Sequence, residues 1–236
     1  MVNSTRFRNG SPEGGAPPKL QVGEWRWLWN TPWVLILLRH GRTPANAEGL
    51  LQGRLDQDLD EIGIEQAAAA FEFISGTGAI DAVVASPLKR AQQTAGVFGM
   101  PIETDDRWME MSFGEYEGMP YREVPRDVWR RWRDDPDFTP AGGESLASVD
   151  IRVRSACSDL AERAETSNIV VVSHVTPMKA AVAWVLDVAD ISATSHLDQA
   201  AICRVSFRGG RPVLTTFNET APPLQGNDAR GVVNWG

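Results

Sequence analysis

The sequence predicts an α/β fold on a mostly parallel central sheet, and two stretches carry that prediction. Val34-Leu35-Ile36-Leu37-Leu38 and Ile169-Val170-Val171-Val172 are short apolar runs with polar borders, the pattern of strands covered on both faces. Each run ends at a histidine, in Arg39-His40-Gly41 and in Ser173-His174. Ligands of doubly wound sheets bind outside the carboxyl ends of adjacent strands, so His40 and His174 are candidates for one site. Arginine, histidine and glycine at a strand end combine a fixed cation, a neutral-pH nucleophile and a backbone turn, which suits a phosphoryl group.

The 236 residues, 42% hydrophobic and 23% charged, suit a single globular domain. We expect that domain over residues 31–220. A flexible arm over 1–30, rich in Gly and Pro, precedes it, and a tail over 221–236 follows. Trp25, Trp27, Trp29 and Trp33 at mostly alternating positions suit an edge strand or an arm packed on another surface. A net charge of -8 argues against a nucleic-acid partner, which would need clustered excess Lys and Arg. Cys157 and Cys203 are too few for a disulfide scaffold or a metal-binding pair of cysteine motifs, and both read as buried thiols. No run reaches the roughly 18 apolar residues of a membrane span and no export leader is visible, so we expect no membrane partner and a cytoplasmic protein. A homo-oligomer is left open.

The remaining elements follow in order. Asp60 is placed to cap a helix containing Gln66–Phe73. Residues 79–85 form a second strand, after which Ser86-Pro87 caps and opens a helix with Arg90 in its first turn. There its guanidinium and free backbone N–H groups can share one anion. Residues 100–103 make a short strand, and residues 107–118 bring Glu110, Glu115 and Glu117 close together. Residues 121–135, with Trp129-Arg130-Arg131-Trp132-Arg133, read as an amphipathic helix. Gly142-Gly143-Glu144-Ser145 opens a helix to about Ala164. The strand ending at His174 is followed by a polar stretch holding His196, read as a non-catalytic loop residue. Residues 201–207 and 211–217 then pair as a hairpin across Gly209-Gly210.

Four of these strings, in order over roughly residues 34 to 217, resemble the histidine phosphatase superfamily, which includes the cofactor-dependent phosphoglycerate mutases. They are Arg39-His40-Gly41, Ser86-Pro87-Leu88-Lys89-Arg90-Ala91-Gln92-Gln93-Thr94-Ala95, the glutamate segment from Glu110 to Gly118, and the strand ending at His174. The resemblance implies a three-layer α/β/α sandwich of the phosphoglycerate-mutase-like kind. It places the proton-transfer role on Glu110, leaving Glu115 and Glu117 structural. Asn46, Gln52 and Gly53 fall where the family lines its phosphate and substrate pocket, and Glu144 or Ser145 falls where it meets the leaving group. Residues 121–135 lie where the family covers the pocket; substrate recognition and a solvated helix face are equal alternatives there. Arg42 and Asp58 depart from the commoner family residues, which bears on substrate choice, and Val175-Thr176-Pro177 stands after His174 where a glycine pair is commoner.

The implied reaction is hydrolysis of a small-molecule phosphate ester through a phosphohistidine at His40, without metal or other cofactor. Arg39, Arg90 and His174 would neutralise the phosphoryl oxygens. The flanking cations should keep His40 neutral. Glu110 would protonate the leaving alkoxide and then deprotonate water, which requires it to begin protonated and implies best activity in mildly acidic solution. A phosphoglycerate mutase is the alternative, disfavoured by the short segment between Glu110 and His174; a non-catalytic phosphate-binding module is the third reading. Sugar phosphates, phosphoglycerates, nucleotide-loop phosphates of cobamide synthesis and phosphoproteins all stay open as substrates.

Overall fold

The computed structural model describes residues 34–224. The expected arm over 1–30, its tryptophans through Trp33 and most of the expected tail lie outside the described residues. Six strands form one sheet in the order β3-β2-β4-β1-β5-β6. They are β1 (Val34–Arg39), β2 (Ala82–Ala85), β3 (Ile102–Thr104), β4 (Ile169–Ser173), β5 (Ile202–Arg208) and β6 (Arg211–Glu219). β1, β4, β2 and β3 are mutually parallel, while β5 runs antiparallel to β1 and β6 antiparallel to β5. The sheet is therefore mostly parallel, closed at one side by a hairpin. Gly209 and Gly210 turn that hairpin with φ of 56° and 75°, the left-handed pair that a two-residue loop demands and glycine supplies without strain.

Alternation along the central strands sorts their side chains into two apolar layers. Leu35, Leu37, Ile169 and Val171 face one side and pack with Val153 and Leu160 of α5 (Leu146–Arg163), Met178 and Ala181 of α6 (Val175–Leu186) and Trp132 of α4 (Arg126–Asp134). Ile36, Leu38, Val170 and Val172 face the other, against Ala70 and Ile74 of α2 (Glu61–Ser75) and Ala91 and Ala95 of α3 (Lys89–Gly96). Helices thus cover both faces, the three-layer α/β/α architecture. The short apolar runs are buried on both sides because each residue faces one of these two layers.

Three local expectations are corrected. Ser86 does not cap α3; the helix begins at Lys89 behind Leu88, which gives no side-chain cap, and Ser86 serves His174 instead. The helix expected over 121–135 spans only Arg126–Asp134, because Pro125 has no N–H and fits only at a helix start. A helix of one turn, α1 (Pro44–Glu48), was not foreseen; Thr43 caps it by accepting from the Asn46 N–H while Asn46 caps back, a reciprocal pair of the capping-box kind. Asp60 caps α2 and Ser145 caps α5, through the N–H groups of Gly63 and Ser148.

Candidate active site

The register of β1 on β4 sets Arg39 opposite Ser173, so His40 and His174 leave two adjacent strand ends side by side. Their ring centroids are 5.0 Å apart and both side chains are buried. His40 Nδ1 lies 2.7 Å from the Gly41 carbonyl oxygen. A carbonyl only accepts, so Nδ1 carries the proton and Nε2 keeps the lone pair. Arg90 Nε donates to both His40 Nε2 and His174 Nδ1, at 3.2 Å each, which makes His174 Nε2 the donor to Ser86 Oγ at 2.8 Å. Each ring thus accepts at one nitrogen and donates at the other, the neutral form. Burial, followed by the charges of Arg90 and Arg39, holds His40 well below its ordinary pKa. Burial and then Arg90 do the same for His174. The cations flanking His40 act as expected, but loss of water around the ring is the larger cause.

Gly41 was read as supplying a flexible turn, and its role is different. Its φ is not positive; a Cβ there would run into the backbone oxygen of Gly63. The residue is small because the loop after β1 touches the first turn of α2 backbone to backbone. That contact and the Gly41 N–H donated to Thr94 Oγ1 at 3.1 Å fix the loop that carries His40.

Arg90 is almost fully buried in the first turn of α3. Nη1 and Nη2 donate to the carbonyl oxygens of Leu55 and Gly53, at 2.8 and 2.7 Å, so the fork is aimed before any ligand arrives. Burial lowers its pKa to about 10, opposed by Glu110, which leaves it charged at neutral pH. Gly53 holds φ at 52° and has no room for a Cβ beside the Glu117 carboxylate. That carboxylate accepts from the N–H groups of Arg54 and Phe113, both at 3.0 Å, the structural part expected of it. Arg39 donates through Nη1 to Leu197 O at 2.6 Å, while its buried Nε has no partner among the described residues. Burial lowers the Arg39 pKa as well.

Glu110 lines a cavity with Arg39, His40 and Arg90. Its Oε1 accepts from the Met111 N–H at 2.8 Å and from the Thr176 N–H at 3.3 Å, the latter an unpaired donor in the first turn of α6. The backbone behind it is clamped. Arg152 Nη1 donates to the carbonyls of Arg107 and Met109, each at 2.7 Å, and Arg54 Nε donates to that of Glu110 at 3.4 Å. Glu144 bridges the two arginines, 3.1 Å from Arg54 Nη2 and 2.9 Å from Arg152 Nε. This corrects the expectation that Glu144 or Ser145 meets the leaving group. Neither lines the cavity; Glu144 is occupied by two arginines and the Ser145 hydroxyl caps α5.

A cavity of about 450 Å³ opens onto Arg39, His40, Arg90 and Glu110. Asn46, Gln52 and Gly53 line it, with Gln52 held by the Thr43 hydroxyl at 3.0 Å. His174 is not in the lining and reaches the site through Arg90. The segment over 121–135 contributes Tyr121, Trp129, Trp132 and Arg133 to the wall. The family departures at Arg42 and Asp58 are absorbed locally, by Asp60 at 2.7 Å and Gln93 at 2.9 Å. Lys179, Asp190 and Ser192 also line the cavity and were missed. A lone lysine in the apolar run Val175–Leu186 was the available signal for the first. His196 pairs with Asp198 on the surface, away from the cavity. Among the described residues no group of three or more His, Cys, Asp or Glu side chains could hold a metal ion, and no helix is long and apolar enough to cross a membrane. Cys157 and Cys203 are buried free thiols, pushed up to about 12 and about 11 chiefly by burial.

On a phosphoglycerate-mutase-like fold, two neutral buried histidines at adjacent parallel strand ends share the Arg90 guanidinium, and Arg39, His40, Arg90 and Glu110 line one cavity. The chain belongs to the histidine phosphatase superfamily (branch 1), whose family model matches residues 35–220. It is 36% identical over 205 residues to a bifunctional protein of Mycobacterium tuberculosis, covering 83% of this chain and 56% of that one; it therefore spans little more than half the length of that relative. It is 35% identical over 197 residues to phosphoserine phosphatase 1 of Hydrogenobacter thermophilus, covering 79% and 92% of the two chains. Among solved structures it resembles a phosphoserine phosphatase of Entamoeba histolytica in complex with phosphoserine, with a TM-score of 0.72, 31% identity and coverage of 78% and 96%.

Proposed function

We propose that this protein is a phosphatase that hydrolyses small phosphomonoesters through a phosphohistidine at His40. The observation that carries the reading is the state of that ring: neutral, its Nδ1 proton committed to Gly41 O, and its Nε2 lone pair directed at the Arg90 guanidinium. A phosphoryl group drawn to Arg90 and Arg39 arrives where that lone pair can attack phosphorus. Arg90 Nε–H contacts the same lone pair in the free protein, so the phosphoryl oxygens must draw that N–H away before the N–P bond forms. As that bond forms and the ester P–O bond breaks, Glu110 gives its proton to the departing alkoxide. Its carboxylate then takes a proton from the water that attacks the phosphohistidine, and inorganic phosphate leaves with His40 neutral again.

Each charge-assisted hydrogen bond from Arg39 or Arg90 to the developing oxyanion contributes about 1.5–3 kcal/mol. On this reading the arginines supply the positive charge that a metal ion supplies in other phosphoryl-transfer enzymes, and the reaction runs without one. Because Glu110 must start protonated, activity is best in mildly acidic solution. Named relatives that act on phosphoserine support the class of substrate, a small phosphate ester.

The test is phosphate release from a panel of phosphomonoesters, including phosphoserine and 3-phosphoglycerate, by the wild-type protein and His40→Ala, with and without chelator. Release that persists in chelator, vanishes in the variant and leaves an acid-labile, base-stable phosphoryl label on quenched wild-type protein is the expected result. Isomerisation of phosphoglycerate without release would make the protein a mutase, and silence in both assays with retained phosphate binding would make it a binding module.

A further inference from the structure

Beyond the phosphoryl end, the cavity wall is aromatic. Tyr121 and Trp129 line it while remaining 37% and 36% exposed, with ring centroids 6.3 Å apart. Trp129 Nε1 donates to the Tyr121 carbonyl at 3.3 Å, which orients the indole and engages its only polar atom. Behind it Trp132, 5.3 Å away, is wedged among Phe113, Tyr116 and Phe138 with centroids 5.4 to 5.8 Å apart, so the shelf is backed by packed rings. Leu51, Met111 and Leu146 add further apolar lining.

The charged groups lining the rest of the cavity are already engaged. Lys179 donates to the carbonyls of Ser192 and Ser195 at 2.9 and 2.7 Å. Arg133 pairs with Asp134 at 2.8 Å, and Asp190 accepts from the Ser192 N–H at 2.9 Å. A small zwitterionic alcohol such as serine would have to compete with these partners for the charges that replace its hydration, whereas a planar ring meets the ring faces of this wall directly. The volume of about 450 Å³ falls in the range of about 300–1,000 Å³ that encloses larger organic ligands.

We infer that the preferred substrate is a phosphomonoester whose alcohol carries an uncharged planar ring system, stacked on Tyr121 and Trp129 while the phosphoryl group lies against Arg39, His40 and Arg90. The inference rests on the phosphatase reading for turnover and on the shelf alone for binding. Ethyl, 2-cyclohexylethyl and 2-(1-naphthyl)ethyl phosphates are the probes, because all three release primary alkoxides and differ in what touches the shelf. The naphthyl ester should be turned over with kcat/KM at least tenfold above both others, which is about 1.4 kcal/mol of transition-state binding. Trp129→Ala should shrink that ratio at least fivefold, and Trp129→Phe should retain most of it. Calorimetric binding to His40→Ala should show the same order, and this arm reads the shelf even where no ester is hydrolysed. Release without ring preference, with equal affinities, overturns the inference and spares the phosphatase reading. No release with preserved ring-selective binding does the reverse. A cyclohexyl ester as good as the naphthyl one refutes stacking, and a ratio unmoved in Trp129→Ala places the ring elsewhere.

Discussion

Replacing Arg90 by lysine separates charge from geometry at the centre of this site. The guanidinium uses all three nitrogens: Nε on His40 and His174, Nη1 on Leu55 O and Nη2 on Gly53 O. A lysine keeps the charge but offers one compact ammonium, which cannot span the Gly53 and Leu55 carbonyls while reaching the imidazoles. Two charge-assisted hydrogen bonds to backbone oxygens are lost or weakened, each contributing about 1.5–3 kcal/mol in a buried setting. Some of that loss appears as stability, and we expect urea unfolding to show about 1–3 kcal/mol of destabilisation, the cost of leaving buried acceptors unpaired. The remainder appears in the reaction, since a mis-aimed oxyanion donor costs about 100- to 1,000-fold in kcat. The measurements are kcat/KM for phosphate release and the urea midpoint on the same preparations. A variant within tenfold of wild type in kcat/KM would show that charge at position 90 suffices and that the aimed fork is not what the reaction needs.

Other outcomes follow from the same geometry. His40 and His174 are held neutral in the folded protein with pKa values well below 6.5, so below about pH 6.5 the unfolded chain binds more protons and stability falls with pH, by up to about 2.7 kcal/mol per unit for the two together. Unfolding free energies that stay flat from pH 6.5 to 5.5 would contradict the burial of both rings. Gly41→Ala should destabilise by about 1–3 kcal/mol, the scale of overpacking, and lower kcat by shifting the His40 loop; a urea midpoint unchanged from wild type would refute the backbone contact with Gly63. Glu144→Gln weakens the bridge between Arg54 and Arg152 and loosens the segment carrying Glu110. It should lower kcat by roughly tenfold with KM little changed, the pattern of an interaction felt mainly in the transition state; a rise in KM alone would return Glu144 to the leaving-group contact.

The parts of the site legible in the sequence are those set by strand ends and by a helix start. His40 and His174 announce themselves because buried apolar runs stop at them, and Arg90 because it falls in the first turn of a helix. What stayed hidden depends on contacts between distant segments. Nothing near Ser86 says that its hydroxyl will orient His174, 88 positions away; its local context resembles a cap, and that reading failed because the helix starts three residues later. Glu144 was misplaced for a related reason, as a resemblance to a family string does not reveal that Arg54, 90 positions away, and Arg152 on the following helix engage it. Lys179 is a milder case. Its apolar neighbours marked it as unusual, but only the fold shows the two carbonyls of the following loop that hold it.

The position of β1 within the sheet has a consequence for how the chain is made. This strand lies between β4 and β5, and both of its hydrogen-bonding partners are synthesised long after it. About 130 residues separate Arg39 from Ile169, which at roughly 5–20 residues per second takes about 7 to 26 s of translation. Through that interval the apolar segment Val34–Leu38 has both edges open, and such an exposed segment invites pairing with other nascent chains. His40 and His174 therefore cannot meet until β4 leaves the ribosome. A chain stalled before β4 would carry His40 without its ring partner His174 and with an apolar strand uncovered.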